Sequence, residues 1–138
     1  MRRYYLDTSI WRDYYENRSD NLRPLGEWAY ELIRRIRDNR EIVFYSELIE
    51  EELSIDFSTK QIKDIFSILA KEQLLIKIEI TWTNRQEALR ISKQFNVPRI
   101  DSLHAVLAKN NDAILVTRDR HFQALNTPFI IKKPEELI

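Results

Sequence analysis

Short segments rich in β-branched and aromatic residues alternate along the chain with longer segments whose apolar residues recur at helical spacing. This alternation predicts five strands, at residues 3–6, 41–45, 75–80, 113–117 and 128–131. The segments between them are predicted to be helices, since residues such as Trp28, Leu32 and Ile36 share one helical face. The order predicts an α/β fold in which helices cover both faces of a mostly parallel sheet.

The chain is predicted to form one domain over residues 1–138, because it contains no repeat, low-complexity tract or Pro/Gly/Ser-rich linker. A hydrophobic content of 43% in 138 residues is enough to bury a core. No segment approaches the roughly 18 apolar residues of a membrane helix, and the N-terminus lacks the apolar stretch of a signal peptide. We therefore expect a cytoplasmic protein that has no membrane partner.

Composition excludes several kinds of chemistry. The absence of cysteine excludes disulfides, a thiol nucleophile and thiolate zinc sites. A single glycine, Gly26, argues against phosphate-cradling loops, and two histidines are too few for a His-rich metal site. The 22 basic and 22 acidic residues cancel, so any nucleic-acid binding must be local. Chemistry based on carboxylates remains.

Acidic residues stand where predicted strands end or just inside the helix that follows: Asp7, Glu52, Asp101 and Asp119. The carboxyl ends of parallel strands meet at one edge of a sheet, where open α/β proteins build their functional crevice. Each acid alone has a plainer interpretation, as a helix N-cap or, for Glu52, as a member of an ion pair. Four independent caps have no reason to converge, so together these acids predict a shared metal site.

Glu52 belongs to a cluster of glutamates after the second strand, and helical geometry separates it from its neighbours. At about 100° per residue, Glu52 falls within the arc marked by Ile49 and Leu53, whereas Glu50 and Glu51 point roughly the other way. An acid on the buried side is costly unless it is paired, protonated or bound to a cation. Glu52 is therefore the predicted ligand of this cluster.

Other residues near the four acids have predicted supporting roles. Thr8, Ser9 and Thr117 are candidate hydrogen-bond donors to the acids, and turn formation explains each of them equally well. Arg118 and Arg120 flank Asp119, where they are predicted to hold a phosphate backbone.

The two histidines receive separate interpretations. His104 lies on the buried face of its helix and is predicted to be a hydrogen-bonded core residue rather than a ligand. His121 is a candidate for a helix cap or a substrate contact.

Four short motifs stand in a fixed order along nearly the whole chain: Tyr5-Leu6-Asp7-Thr8-Ser9, Ser46 with Glu52-Leu53, Asp101-Ser102-Leu103-His104-Ala105, and Thr117-Arg118-Asp119-Arg120-His121-Phe122. Together they resemble the PIN domain family of metal-dependent ribonucleases, which includes the toxins of VapBC toxin–antitoxin systems. Ser102 departs from the pattern, since an alanine is common after the third acid.

The resemblance implies a three-layer α/β/α sandwich around a sheet of about five strands, with Asp7, Glu52, Asp101 and Asp119 as metal ligands. An oxygen-only ligand set suits Mg²⁺ or Mn²⁺. A divalent ion held by such a set supports hydrolysis of RNA phosphodiester bonds. The family implies products with a 5′-phosphate and a 3′-hydroxyl, a small antitoxin protein as a possible partner, and a homodimer.

Two alternatives come from other functional classes. In a receiver-like or phosphatase domain Asp7 would accept a phosphoryl group, although Ser9 stands where a dehalogenase-type phosphatase has a second Asp. A catalytically idle PIN-like scaffold that binds RNA or protein would keep the fold without the chemistry.

Overall fold

The structure is a computed structural model that describes residues 1–138, with five strands, six α-helices and two 3₁₀ helices. The strands are β1 (Arg3–Leu6), β2 (Ile42–Tyr45), β3 (Leu75–Lys77), β4 (Ile114–Val116) and β5 (Ile131–Lys132). The α-helices are α1 (Thr8–Glu16), α2 (Leu25–Asp38), α3 (Glu47–Ser54), α4 (Thr59–Ala70), α5 (Trp82–Phe95) and α6 (Arg99–Asn110). The two 3₁₀ helices span Arg120–Ala124 and Pro134–Glu136.

All five strands form one parallel sheet in the order β3-β2-β1-β4-β5. The predicted α/β fold with a central sheet of five strands is therefore confirmed, and β1 lies at the centre between β2 and β4. A receiver-like domain has the order 2-1-3-4-5, which places the third strand beside the first. Because β3 lies at the edge here, the receiver-like alternative is wrong.

Two predicted strands differ from the observed ones by more than one residue at an end. The third was predicted over 75–80 but ends at Lys77, after which the Ile78 N–H donates a last bond to the Tyr45 carbonyl (2.8 Å). The fifth was predicted over 128–131 but spans Ile131–Lys132, because a turn in which the Phe129 N–H bonds the Asn126 carbonyl (2.9 Å) precedes it. The later start brings Lys132 and Lys133 to the carboxyl edge of the sheet.

The core is a single cluster of 31 buried hydrophobic residues between the sheet and the helices. Strand β1 is its centre, since Tyr5 and Leu6 are fully buried and Trp11 of α1 packs beside Phe66 of α4. Helices cover both faces of a parallel sheet in this way because its strands lack a solvent-exposed face. No helix is both long and apolar enough to cross a bilayer.

With a single glycine in the chain, asparagine takes the left-handed backbone positions at two helix ends. Asn17 after α1 and Asn96 after α5 adopt left-handed backbone conformations, with φ of 50° and 56°. Asparagine tolerates this region better than other side chains with a Cβ. The one glycine has a packing role, because a Cβ at Gly26 would lie only 2.4 Å from the Cα of Asn17.

Candidate metal centre

Asp7 lies at the junction between β1 and α1, where the sheet determines its position. Its backbone N–H donates to the Val116 carbonyl of β4 (2.9 Å), so the residue continues the pairing of β1 with β4. Its carboxylate accepts bonds from the Thr8 N–H (2.8 Å), the Ser9 hydroxyl (3.3 Å) and the Thr117 hydroxyl (2.8 Å). The three candidate donors predicted from the sequence therefore surround Asp7.

Glu52 of α3 and His104 of α6 complete a first group with Asp7, which we call the inner triad. One possible ligand atom from each residue lies within 4.8 Å of the others. The Glu52 Oε1 atom accepts bonds from the Thr8 hydroxyl (2.6 Å) and from His104 Nε2 (3.0 Å). Glu52 is partly buried and Glu51 is exposed, as the predicted phase of α3 requires, but Glu50 is as partly buried as Glu52 and pairs instead with Lys77 (2.6 Å).

A buried hydrogen-bond chain supports the inner triad from below. The Tyr5 hydroxyl lies 2.8 Å from His104 Nδ1 and 2.8 Å from the Ser46 hydroxyl. Because an ionised carboxylate only accepts hydrogen bonds, the Nε2 atom of His104 must carry the hydrogen directed at Glu52. Burial raises the pKa of Tyr5, so this hydroxyl keeps its proton and can act as a hydrogen-bond donor. The chain then runs from Ser46 through Tyr5 and His104 to Glu52.

The predicted core role of His104 agrees with its side-chain exposure of 1%, but the sequence analysis missed its contact with Glu52. The two residues are separated by 52 positions, so no local pattern connects them. A signal was available in α6 itself. Asp101 and His104 are three positions apart, which places both on one helical face.

A second group, which we call the outer triad, consists of Asp101, Asp119 and His121, again with ligand atoms within 4.8 Å. His121 Nδ1 lies 2.9 Å from Asp101 Oδ2 and 3.2 Å from Asp119 Oδ1. Asp119 also accepts the His121 N–H (2.9 Å) and thereby caps the first 3₁₀ helix. The cap of this helix is therefore Asp119 rather than His121. The His121 imidazole contacts both acids, and 59% of its side chain is exposed.

The two triads are joined by Thr117 and by α6. The Thr117 hydroxyl donates to Asp7 (2.8 Å) and accepts the Asp119 N–H (3.0 Å), and the residue is almost fully buried. Helix α6 carries Asp101 of the outer triad and His104 of the inner triad. The structure thus brings all four predicted acids to the carboxyl edge of β1 and β4.

The surroundings of the acids shift their pKa values in different directions. Burial raises the pKa of Asp7, and the contacts from His104 and Thr117 oppose this only in part. Burial also raises the pKa of Asp101, and the negative charges of Asp119 and Asp7 add to the effect. Burial acts on Glu52 in the same direction, but hydrogen bonds from His104 and Thr8 outweigh it, so the Glu52 pKa is lowered.

A divalent cation fits this arrangement for both electrostatic and chemical reasons. Carboxylates that raise one another's pKa are relieved when a positive charge lies between them. Carboxylate oxygens are the ligands that hard cations such as Mg²⁺ and Mn²⁺ prefer. The Glu52 Oε1 atom is engaged by protein donors, whereas its Oε2 atom accepts no hydrogen bond from the protein.

The two arginines beside Asp119 differ from each other. Arg118 is only 14% exposed and pairs through both terminal nitrogens with Glu135 (3.0 and 2.6 Å). Its guanidinium also lies over the Trp28 ring at 5.4 Å and 3.6 Å from Asp13. The predicted phosphate contact of Arg118 therefore has no support in this geometry. Arg120 is exposed and forms no ion pair, so its predicted substrate role stays a prediction.

Three solved structures are similar in fold over nearly the whole chain. A toxin–antitoxin complex from Klebsiella pneumoniae matches with a TM-score of 0.64 and 15% identity, covering 93% of this chain and 99% of its own. VapBC2 from Rickettsia felis, bound to a DNA fragment from its promoter, matches with a TM-score of 0.66 and 20% identity, covering 95% and 98%. FitAcB from Neisseria gonorrhoeae matches with a TM-score of 0.59 and 16% identity, covering 96% and 99%.

No protein with a curated description matches the sequence. The family model described as the PIN domain matches residues 4–127, which include all four acids and both triads. The sheet order, the position of the acids and the extent of this match lead to one assignment: the chain belongs to the PIN domain family.

Proposed function

We propose that the protein is a metal-dependent endoribonuclease that hydrolyses RNA phosphodiester bonds, with Mg²⁺ or Mn²⁺ held by Asp7, Glu52, Asp101 and Asp119. The observation that carries this proposal is the convergence of four acids from distant parts of the chain on one edge of the sheet, where protein donors orient them. When bound, a divalent cation activates water as a nucleophile and offsets the charge of a phosphodiester.

The chain's own residues prepare this centre before any substrate arrives. Thr8, Ser9 and Thr117 hold the Asp7 carboxylate, and Thr8 with His104 holds that of Glu52. Oriented carboxylates need not reorganise when they receive a cation, which is the main benefit of supporting hydrogen bonds around metal ligands. His104 is not available as a nucleophile, because it is buried and engaged at both ring nitrogens.

The partner side of the proposal is that this nuclease is the toxin of a toxin–antitoxin pair and forms a homodimer. Support comes from the fold, since one similar structure is a toxin–antitoxin complex and another is VapBC2. A small reading frame adjacent to the gene, whose product co-purifies with the protein and blocks cleavage, is the expected finding. Size-exclusion chromatography with light scattering measures the oligomeric state.

The enzymatic proposal is tested by incubating the purified protein with a structured RNA, with and without EDTA, and then restoring Mn²⁺ in excess. We expect cleavage to stop with EDTA, to return with Mn²⁺, and to be absent in Asp101→Asn. Asp64→Asn, an exposed aspartate on α4, is the matched control and should cleave normally.

Two other outcomes identify the alternatives. RNA binding without any cleavage, under all metal conditions, would point to an idle scaffold. Metal-independent cleavage would remove the proposed mechanism, and a stable phospho-adduct at Asp7 would favour phosphoryl transfer.

A further inference from the structure

The carboxyl edge of the sheet is electrically asymmetric about the four acids. Strands β4 and β5 lie on one side of β1, and β2 and β3 lie on the other. A cavity opens on each side, so shape alone does not decide which one a substrate occupies. The charged residues that line the two cavities differ.

The cavity on the β5 side has a volume of about 280 Å³ and reaches Asp119 of the outer triad. Its polar and charged lining comes from Thr117, Arg118, Asp119, Gln123, Lys132, Lys133 and Glu136. This volume is close to the lower end of the roughly 300–1,000 Å³ found for small-ligand pockets, which suits a group the size of one nucleotide. The cavity therefore adjoins the proposed metal centre directly.

Among the cations that line this cavity, Lys132 and Lys133 are the ones that form no ion pair. Both are exposed, and neither ammonium group has a carboxylate within ion-pair distance. Glu136 is the one lining carboxylate besides Asp119, and its Oε1 atom accepts the Lys133 backbone N–H (2.9 Å). Arg120, next to Asp119 in the chain, is exposed and forms no ion pair, but it does not line the cavity.

The cavity on the β3 side is larger, at about 430 Å³, but its charge is unfavourable for a polyanion. Glu47 and Glu79 line it together with Lys77. The Lys77 ammonium pairs with Glu50 (2.6 Å), and Arg85 lies 3.6 Å from Glu47, so nearby cations are already neutralised. A phosphate entering here would meet carboxylates rather than free ammonium groups.

From this asymmetry we infer that the β5-side cavity is a nucleotide-binding subsite, in which Lys132 and Lys133 hold the phosphate backbone of single-stranded RNA that flanks the cleaved bond. The inference rests on the proposed ribonuclease function and adds a direction to it. The RNA strand runs from the metal centre over β4 and β5 and away from the glutamates of α3. Gln123 supplies an amide at the cavity wall that can donate to and accept from a base edge.

If Lys132 and Lys133 bind phosphates, RNA affinity depends on salt through their charge. Lysines with a purely structural role would not produce this dependence. Contacts between lysines and phosphates release condensed counterions, so RNA affinity falls as salt rises. For single strands the slope of log Kd against log salt changes by about 0.7 for each phosphate contact. Two lysines should therefore contribute about 1.4 to that slope, which no effect on folding would produce.

The test measures binding and cleavage separately. A fluorescein-labelled 12-nucleotide single-stranded RNA is titrated by anisotropy against Asp101→Asn protein at constant Mg²⁺ and at several KCl concentrations. The same measurement is made after adding Lys132→Ala with Lys133→Ala, and separately after adding Lys77→Ala. Lys77 is the matched control, because it is the same residue type at the same edge of the sheet on the opposite side. Melting temperatures establish that each variant keeps its fold.

We expect the double lysine variant to bind RNA about tenfold more weakly at low salt and with a slope smaller by about 1.4, whereas Lys77→Ala stays within about twofold. In the otherwise native protein the double variant should raise KM. Unchanged RNA binding in the double variant, or an equal loss in Lys77→Ala, would overturn the subsite. Failure of the parent to bind this RNA at all would overturn it as well.

Cleavage by the parent decides the proposed function independently. Lysine-dependent binding without cleavage would leave the subsite standing and reject the ribonuclease activity. Cleavage with lysine-independent binding would reject the subsite alone.

Discussion

The inner and outer triads contain the same kinds of residue, two acids and one histidine, and differ most in the exposure of the histidine. His104 of the inner triad is 1% exposed and bonded at both ring nitrogens, whereas His121 of the outer triad is 59% exposed. The inner acids receive hydrogen bonds from three hydroxyl or backbone donors near the start of α1. The outer acids share one exposed imidazole and one helix-cap bond.

This difference predicts that the two triads have different roles in the proposed metal centre. The inner triad has its geometry determined by the folded core, because its supports come from β1, α1 and α6. The outer histidine lies at the solvent boundary, so in the proposed metal centre the outer triad would be free to adjust when a cation and a substrate bind. Substitutions that loosen the inner triad should therefore cost more metal affinity than equivalent substitutions in the outer triad.

The largest effect is expected for Asp7→Asn. This change removes a ligand charge from the best-supported position while keeping the shape of the side chain, so kcat/KM should fall by at least about 100-fold. Because burial raises the Asp7 pKa, the folded state disfavours its charge, and the metal-free melting temperature should hold or rise. Asp64→Asn serves as the control. Near-parental cleavage of RNA by Asp7→Asn would contradict the assignment of Asp7.

A somewhat smaller loss is expected for Glu52→Gln, about 10- to 100-fold in kcat/KM, because the amide keeps the packing but loses the ligand charge. Glu50→Gln and Glu51→Gln should stay within about twofold, since Glu50 pairs with Lys77 and Glu51 is exposed. Steady-state kinetics on the three variants compare them directly. Greater damage from Glu51→Gln would mean that the inner triad is built around the wrong glutamate.

Tyr5→Phe tests the support beneath the inner triad. It removes the hydroxyl that connects Ser46 to His104, so Mn²⁺ affinity should fall about tenfold while all four acids remain. Tyr4→Phe is matched on the same strand, since the Tyr4 hydroxyl donates to Glu41 (3.2 Å) away from the acids. Both changes should lower the free energy of unfolding by about 1–3 kcal/mol. Calorimetry that shows equal Mn²⁺ affinity in the two variants would assign Tyr5 a structural role only.

The smallest effect is expected at the exposed histidine. His121→Gln should lower kcat/KM by about threefold, because contacts of a largely solvated side chain contribute little. His104→Gln should cost at least about tenfold, as it interrupts a buried chain that ends on Glu52. Comparing the two by single-turnover cleavage sharpens the distinction between the triads. A larger loss at His121 would reverse it and make the outer histidine the more important one.

Local sequence patterns predicted the strands and helices, and the positions of most of the acids relative to them, because both depend on neighbours in the chain. Strand β1 follows from side-chain periodicity, and the meeting of Asp7 and Asp119 follows from parallel strand ends. Asp101 instead lies in α6, which follows α5 rather than a strand, so the strand-end argument does not explain its position. The contacts that define the two triads could not be predicted in this way. His104 meets Glu52 across 52 positions, and His121 meets Asp101 across 20.

Arg118 is a residue for which local sequence position suggested a role that the structure does not support. Its position beside Asp119 suggested a substrate contact, but the side chain turns towards Glu135, 17 positions later. That choice depends on where the C-terminal segment packs, which no pattern around residue 118 records. A charged residue beside a functional residue can thus serve the fold instead.

The central claim is that Asp7, Glu52, Asp101 and Asp119 form one cation centre, and a melting series with Mg²⁺, Mn²⁺ and Ca²⁺ tests it most directly. The unfolded chain separates these acids, so a cation that binds the native state should raise the melting temperature, with about 2.7 kcal/mol gained at 100 times Kd. We expect clear shifts with all three ions in the parent and in Asp64→Asn, and strongly reduced shifts in Asp7→Asn and Asp101→Asn. Equal shifts in the parent and in both ligand variants would place the ions elsewhere and contradict the claim.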